Sequence, residues 1–364
     1  MNTEIGARVR ARLHSVAPEL KQGEVAEKIE MTADSLSRAL SGNRAFAAVE
    51  LARLAEFLHA STYWLITGER DPSEPLVVAR HTLDQSTGAR HVDWDGLQSV
   101  VDDVTLAYHQ VELFDRVPNV PSSAGRVRDL LGSDFVRDFA DRVENNLEVD
   151  VVRVDGLPSA ATLRFPSRTV VIIGETPNWF YENFSLAHEV AHVALGHEVS
   201  NEHSTAAQES AANEFAAELL MPEETVRSID WERVKLSEVA ELVWRWGVST
   251  AALGAWLDAL AIAVAPALAD ALASLKTQGL LRRYWTPPTG PIDEITRRMD
   301  AAATRRFPIP LQEAHVRAIA DGHVRKDTLA WMLGVAPDSL EVDEPGPTEG
   351  NIDALADALG LLSA

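Results

Sequence analysis

At 364 residues, with 46% hydrophobic and 24% charged side chains, the chain has the composition of a globular protein long enough for two or three domains with cores of their own. The absence of cysteine excludes disulfides, thiolate metal sites and a cysteine nucleophile, leaving His, Asp and Glu as the strong metal ligands. The formal charge of −22 opposes phosphate binding over most of the chain, but residues 1 to 70 balance nine basic against nine acidic side chains, so nucleic-acid contact is expected only there.

The longest apolar run, Ala259 to Ala269, contains Pro266 and falls short of the roughly 20 residues that span a bilayer, so no membrane partner is expected. The N-terminus mixes charges into a helical pattern from Glu4 onward and offers no apolar export core, which predicts a cytoplasmic protein.

Residues 4 to 68 read as a string of short helices, with Val25, Ile29, Leu36, Leu40, Leu51, Leu54 and Leu58 at three- and four-residue spacing. Val25, Ile29, Leu36 and Leu40 form the packing core of two of these helices, and Thr32 caps the second, whose exposed N-terminal side is shaped to enter a major groove. Ser35, Ser37 and Arg38 are the candidate base-edge or phosphate contacts beside Thr32, with Asn43 and Arg44 just beyond. The run from Gln22 to Arg44, then Leu51 to Gly68 with its closing TYWLITGE, resembles an Xre/Cro-type helix-turn-helix domain. The resemblance implies operator DNA as a partner, and a homodimer would present two recognition helices to paired half-sites. Ala33 stands where a longer polar reader is common, and Glu27, Glu30 and Asp34 oppose phosphate, so a docking or dimerisation module is the alternative. Met31 and Trp64 read as core packing.

Asp71 to Pro75 reads as a linker, Trp94 to Phe114 as an amphipathic helix, and Val117 to Gly125 as a Pro/Ser/Gly-rich break. Leu147 to Val154 and Arg168 to Ile173 read as strands, bounded by Gly156, Pro158, Pro166 and Gly174. Helices dominate after Trp179. The loops from Thr286 to Pro291 and from Asp343 to Gly350 set off a helical module and a short acidic tail helix. Val324 to Leu340 is again similar to a helix-turn-helix pair, in an acidic context that favours packing or protein contact over DNA.

Residues 184 to 196, FSLAHEVAHVALG, contain H-E-x-x-H, which on a helix sets His188 and His192 one turn apart on one face, within reach of one metal ion. Glu189 then stands beside that ion rather than on it, the place of a general base. The surrounding positions are apolar, so two His and a Glu without partners would cost several kcal/mol in desolvation. A buried polar cluster satisfied by backbone and water is the alternative to a metal. A third His ligand in the metzincin register fails, because the position ten after His188 is Glu198 and the glycine falls at Gly196. On the next helix, Ala206 to Met221, Glu209 falls on the apolar arc while Glu214 and Glu218 fall on the solvated side. Glu209 is therefore the expected third ligand, with Asn213 four residues on able to orient a ligand. Two His and one Glu with an open fourth position make a catalytic rather than a structural zinc set. His197 and His203 have no assigned role.

The two blocks SLAHEVAHVALGH (185–197) and ESAANEFAAELLMP (209–222) together resemble the ImmA/IrrE metallopeptidases, over roughly residues 125 to 260. The resemblance implies a Zn2+-dependent endopeptidase with Glu209 as third ligand, whose protein substrate is a helix-turn-helix repressor or antitoxin cleaved in a stress or mobile-element response. One departure is Tyr181-Glu182-Asn183 where basic residues often precede the family's zinc helix, which bears on the electrostatics of the substrate side. The expected architecture is mainly α with a small β-sheet: an all-α helix-turn-helix domain at 1–70, a linker and connecting helix at 71–124, an α+β, gluzincin-like metallopeptidase domain at 125–265, and a helical C-terminal module with acidic tail at 266–364. The competing function is a DNA-binding regulator whose zinc domain senses a signal or partner and cleaves none.

Overall fold

The computed structural model describes residues 2–58, 60–69, 75–81, 94–157, 160–197, 205–285 and 293–345. The expected linker residues 71–74, Glu198, His203, the loop from Thr286 to Pro291 and the acidic tail helix lie outside them. The chain forms two compact units, Met1–Glu74 and Pro75–Ala364, and is mainly helical with one small sheet, as expected.

The first unit is α1 (Asn2–Val16), α2 (Gln22–Lys28), α3 (Ala33–Leu40), α4 (Ala48–Phe57) and α5 (Thr62–Thr67). Val25, Ile29, Leu36, Leu40, Leu51, Leu54 and Leu58 are buried together, with Met31 and Trp64 packed against them. Thr32 caps α3 by accepting the Ser35 N–H. Three arginines of α1 donate to neighbouring helix ends: Arg8 to the Leu65 and Ile66 carbonyls, Arg10 to Leu40 and Arg12 to Leu58. They satisfy carbonyls at helix C-termini that have no partner within their own helix.

The second unit opens with β1 (Leu76–His81) and α6 (Trp94–Gln110), followed by α7 (Ala124–Leu131), α8 (Phe139–Leu147), β2 (Asp150–Val154), β3 (Ala160–Phe165) and β4 (Arg168–Gly174). Helices complete it: α9 (Trp179–Ala194), α10 (Ala206–Leu220), α11 (Glu223–Arg227), α12 (Leu236–Trp246), α13 (Thr250–Ala259), α14 (Pro266–Ser274), α15 (Thr277–Tyr284), α16 (Glu294–Ala302), α17 (Ile309–Ala320) and α18 (Asp327–Leu333). Among the described residues the sheet order is β1-β3-β4-β2, with β1 and β4 antiparallel to β3 and β2 parallel to β4.

Three sequence expectations shift. The strand expected from Leu147 starts at Asp150, because Glu148 at φ 56° ends α8 in the left-handed region. The helix expected to reach Phe114 ends at Gln110, near Glu112 at φ 51°. Two strands, β1 and β3, form where none was expected.

Alternation along the strands feeds two cores. Val151, Val171 and Ile173 pack with α9 and the helices around it, whereas Val152, Val154, Ala161, Leu163, Val170 and Ile172 pack with α6, α17 and α18. Leu329, Met332, Val324 and Leu340 join the second core, which gives the helix-turn-helix-like C-terminal segment a packing role. Buried ion pairs fix the first core to the sheet. Arg153 of β2 pairs with Glu182 of α9 and donates to the Ala301 and Thr304 carbonyls, while Arg306 forks onto Glu144 and exchanges backbone hydrogen bonds with Arg153.

His315 of α17 is fully buried, and its Nε2–H donates to the Ala107 carbonyl of α6 at 2.8 Å. Burial pushes its pKa below the ordinary value, opposed in part by that hydrogen bond. The unfolded chain therefore binds the proton more readily, so stability is complete above the unfolded value of about 6.5 and falls as pH drops through and below it. Urea midpoints of wild type and His315→Gln from pH 7.5 to 5 check this: wild type loses more stability on acidification than the variant. Parallel curves contradict it.

Candidate metal centre

The site is made by α9 lying on the sheet with α10 packed beside it. Asn178 starts α9 by accepting the Tyr181 N–H, and Thr205 with Gln208 forms a reciprocal capping box at the start of α10. Ala187, Ala191 and Ala194 of α9 and Ala212 and Ala216 of α10 are buried in one core, and small residues let helix backbones approach closely.

That approach brings His188, His192 and Glu209 into one cluster, with ligand atoms within 4.8 Å of one another. The two Nε2 atoms are 3.0 Å apart, and each lies 3.4 Å from a Glu209 oxygen, Oε2 for His188 and Oε1 for His192. A tetrahedral zinc with bonds of about 2.0–2.2 Å has ligand-to-ligand edges of about 3.3–3.6 Å. The two His–Glu209 distances fall in that range and the His–His distance lies just below it, so a single ion of that size fits with a small opening of the two rings.

Hydrogen bonds at the far side of each ring support the same reading. His188 Nδ1 is 3.0 Å from Asn213 Oδ1, an acceptor, so it carries the proton and leaves the Nε2 lone pair for the cluster. His192 Nδ1 is 3.0 Å from His197 Nδ1. Burial lowers the His197 pKa, which favours the neutral ring that accepts the His192 proton. Both ligating nitrogens then aim lone pairs at one point, an arrangement that a cation resolves. Burial lowers the His188 pKa, but the Glu209 hydrogen bond, the Glu189 and Glu209 charges and the Asn213 hydrogen bond outweigh it and leave it raised, the mark of a site that favours positive charge.

His197 was a role that sequence reasoning missed. The signal was Gly196: at φ 63° it ends α9 with a Schellman turn, the Gly196 N–H donating to Val193 and the His197 N–H to His192, which folds His197 back over His192. Thr162 was also missed. Its neighbours Ala161 and Leu163 face the second core, so Thr162 faces α9, where its hydroxyl donates to Glu189 Oε2 at 2.7 Å.

Glu209 is 2% exposed and Glu214 exposed, as the helix wheel predicts, whereas Glu218, expected on the solvated side, is half-buried, accepting the Glu223 N–H and pairing with Arg128. Tyr181-Glu182-Asn183 is mostly interior: Glu182 meets Arg153 and Asn183 donates to the Gly247 carbonyl. These two residues act in packing α9 rather than on the substrate side. In the first unit, Ser37, Arg38 and Asn43 are exposed, and Thr32 and Ser35 share the α3 cap. The Arg44 guanidinium is engaged by Glu50 through two hydrogen bonds.

Residues 147–257 match the model of the IrrE N-terminal-like domain, Peptidase M78. The match spans α9 and α10 with all three clustered residues, Glu189, Thr162 and His197. A metallopeptidase-like domain therefore lies within the second unit. No curated protein and no solved structure matches the chain.

Glu209→Ala is expected to lose bound metal while Glu214→Ala and Glu218→Ala retain it, and Asn213→Ala to weaken binding by roughly 10- to 100-fold. Binding also weakens with falling pH, because a ligating imidazole must be unprotonated. Equilibrium dialysis with elemental analysis checks both; loss of metal in Glu218→Ala alone contradicts the assignment.

Proposed function

We propose that the protein is a zinc-dependent endopeptidase and transcriptional regulator, acting in the cytoplasm on a partner helix-turn-helix repressor or antitoxin. The observation that carries the catalytic part is the convergence of His188, His192 and Glu209 with Glu189 one residue round the same helix. In this reading residues 125–265 form the catalytic domain and 266–364 a helical module that braces it.

His188, His192 and Glu209 would hold the ion, with Asn213 and His197 fixing the two imidazoles. A zinc ion there supplies Lewis acidity, which acidifies water and polarises a peptide carbonyl. Glu189 takes the proton from the attacking water and returns it to the leaving amine nitrogen. Thr162 holds one Glu189 oxygen by a hydrogen bond, orienting the carboxylate for that transfer. Burial of Glu189 at 1% exposure keeps competing water from its carboxylate.

Residues 1–70 serve as the DNA-binding domain in this proposal, with Thr32, Ser35, Ser37, Arg38, Asn43 and Arg44 as the candidate contact surface. Arg38 is the best-supported phosphate contact, since Arg8, Arg10 and Arg12 serve helix carbonyls and Arg44 and Arg53 pair with Glu50 and Glu30. A homodimer presents two α3 helices to paired half-sites.

Two experiments test this reading. Glu189→Gln is expected to keep zinc and lose cleavage of the DNA-binding protein encoded beside the gene by at least a hundredfold, within the range for general-base removal. Cleavage undiminished in Glu189→Gln contradicts the peptidase assignment. A salt titration of binding to DNA flanking the gene is expected to show salt-sensitive binding, weakened by Arg38→Ala more than by neutralising Arg8, which is engaged by helix carbonyls. No salt-dependent binding in any form leaves residues 1–70 as a docking module.

A further inference from the structure

The sheet edge nearest the Glu189 carboxylate is covered by a piece of this same chain. β3 carries Thr162, which holds Glu189, and the strand outside β3 is β1, the first element of the second unit. Helix α9 runs beneath β4, β3 and β1 in turn. The backbone of Ala79 pairs with that of Thr162, so β1 crosses the sheet at the level of the candidate base. Neighbouring strands lie about 4.8 Å apart, so whatever occupies this edge runs beside the Glu189 carboxylate.

Taken alone, β3 would expose a row of backbone N–H and C=O groups, the template on which an extended peptide adds as a strand. We propose that β1 is a resident, displaceable occupant of the substrate edge: the peptidase takes its substrate as an extended segment antiparallel to β3, and residues 76–81 hold that position until displaced. The inference rests on the reading of Glu189 as the base.

The pairing itself supports an occupant that blocks rather than reacts. Val77 pairs with Leu163 and Ala79 with Thr162, so Val78 is an extra residue, a bulge opposite the Thr162 position. A bulge bends the strand and interrupts its ladder, so the resident backbone is distorted just where a scissile peptide bond would have to lie flat. The ladder pairs five residues on an edge, as that of β2 does on the other edge, but only the β1 ladder has a break within it. Its advantage is covalent: a tethered segment competes at an effective concentration on the order of millimolar. A substrate at micromolar concentration therefore reaches β3 only when it binds this edge far better than β1 does, or when β1 is drawn away. The substrate class follows as an extended or locally unfolded stretch of a protein, such as an interdomain linker, rather than a helix.

The test uses the full chain carrying Glu189→Gln, so that binding is read without turnover. Residues 76–81 are replaced by Gly-Ser-Gly-Ser-Gly-Ser, and a labelled peptide of residues 75–82 is titrated into parent and replaced protein. At least tenfold tighter binding by the replaced protein, together with renewed hydrogen-exchange protection of amides 160–165 on adding peptide, is the expected result. Equal affinity in the two proteins, with the thermal transition of the replaced protein intact, overturns the proposal. Should the replacement unfold the unit, Ala79→Pro, which removes one N–H and disfavours the strand at the Thr162 position, decides the question by the same readout. With Glu189 restored, the replaced protein is expected to hydrolyse unfolded casein at least tenfold faster than the parent. Tighter peptide binding without hydrolysis upholds the strand assignment and removes the peptidase reading instead.

Discussion

The structure of the second unit depends on one constraint: the carboxylate of Glu209 must reach two imidazoles on the neighbouring helix, inside the core. Two histidines four residues apart fix a face of α9, and a glutamate near the start of α10 can meet them only if the helix backbones approach closely. Alanines at the buried positions of both helices permit that approach. The polar groups so enclosed are tolerated because each is given a defined partner, Asn213 for His188, His197 for His192 and Thr162 for Glu189. Desolvated polar groups without such partners would cost several kcal/mol.

Holding α9 in register is the work of residues far apart in sequence. Glu182 near its start meets Arg153 of β2, which also binds carbonyls at the end of α16. Arg306, beyond that helix, closes on Glu144 and on the backbone of β2. Buried pairs of this kind add little net stability over an apolar core, but loss of one partner strands a charge, so they specify geometry strongly. Asn183 adds a tie to α12: its side chain donates to Gly247, where a Cβ would lie 2.4 Å from the amide nitrogen. The matched domain ends at Leu257, yet the segment from Ala301 to Arg306 helps to position the helix that carries His188 and His192.

Much of this was legible in the sequence where local rules decide. Helical periodicity separated Glu209 from Glu214 and Glu218, the Thr32 cap set the start of α3, and β-branched residues marked β4. Legibility failed where pairing or turn geometry decides. β3 is the short run AATLRF between Pro158 and Pro166, with little intrinsic strand preference, and it exists because β4 pairs with it. β1 follows a Pro-rich stretch that reads as a linker, and its pairing partner lies about eighty residues on. His197 is separated from His192 by five positions, a spacing that juxtaposes nothing on a continuous helix and does so only through the left-handed Gly196. Arg44 illustrates the opposite hazard: a candidate DNA contact just beyond α3 in the sequence, its guanidinium is taken up by Glu50.

Whether His188, His192 and Glu209 form one metal site is read most directly by X-ray absorption at the zinc edge of the loaded full-length protein. The expected spectrum is that of a four-coordinate shell with two imidazole nitrogens and a carboxylate oxygen among its donors, at about 2.0–2.2 Å. The same spectrum should be absent from His188→Ala/His192→Ala prepared with equal zinc. A shell of six oxygens, or an unchanged spectrum in the double variant, would contradict that site.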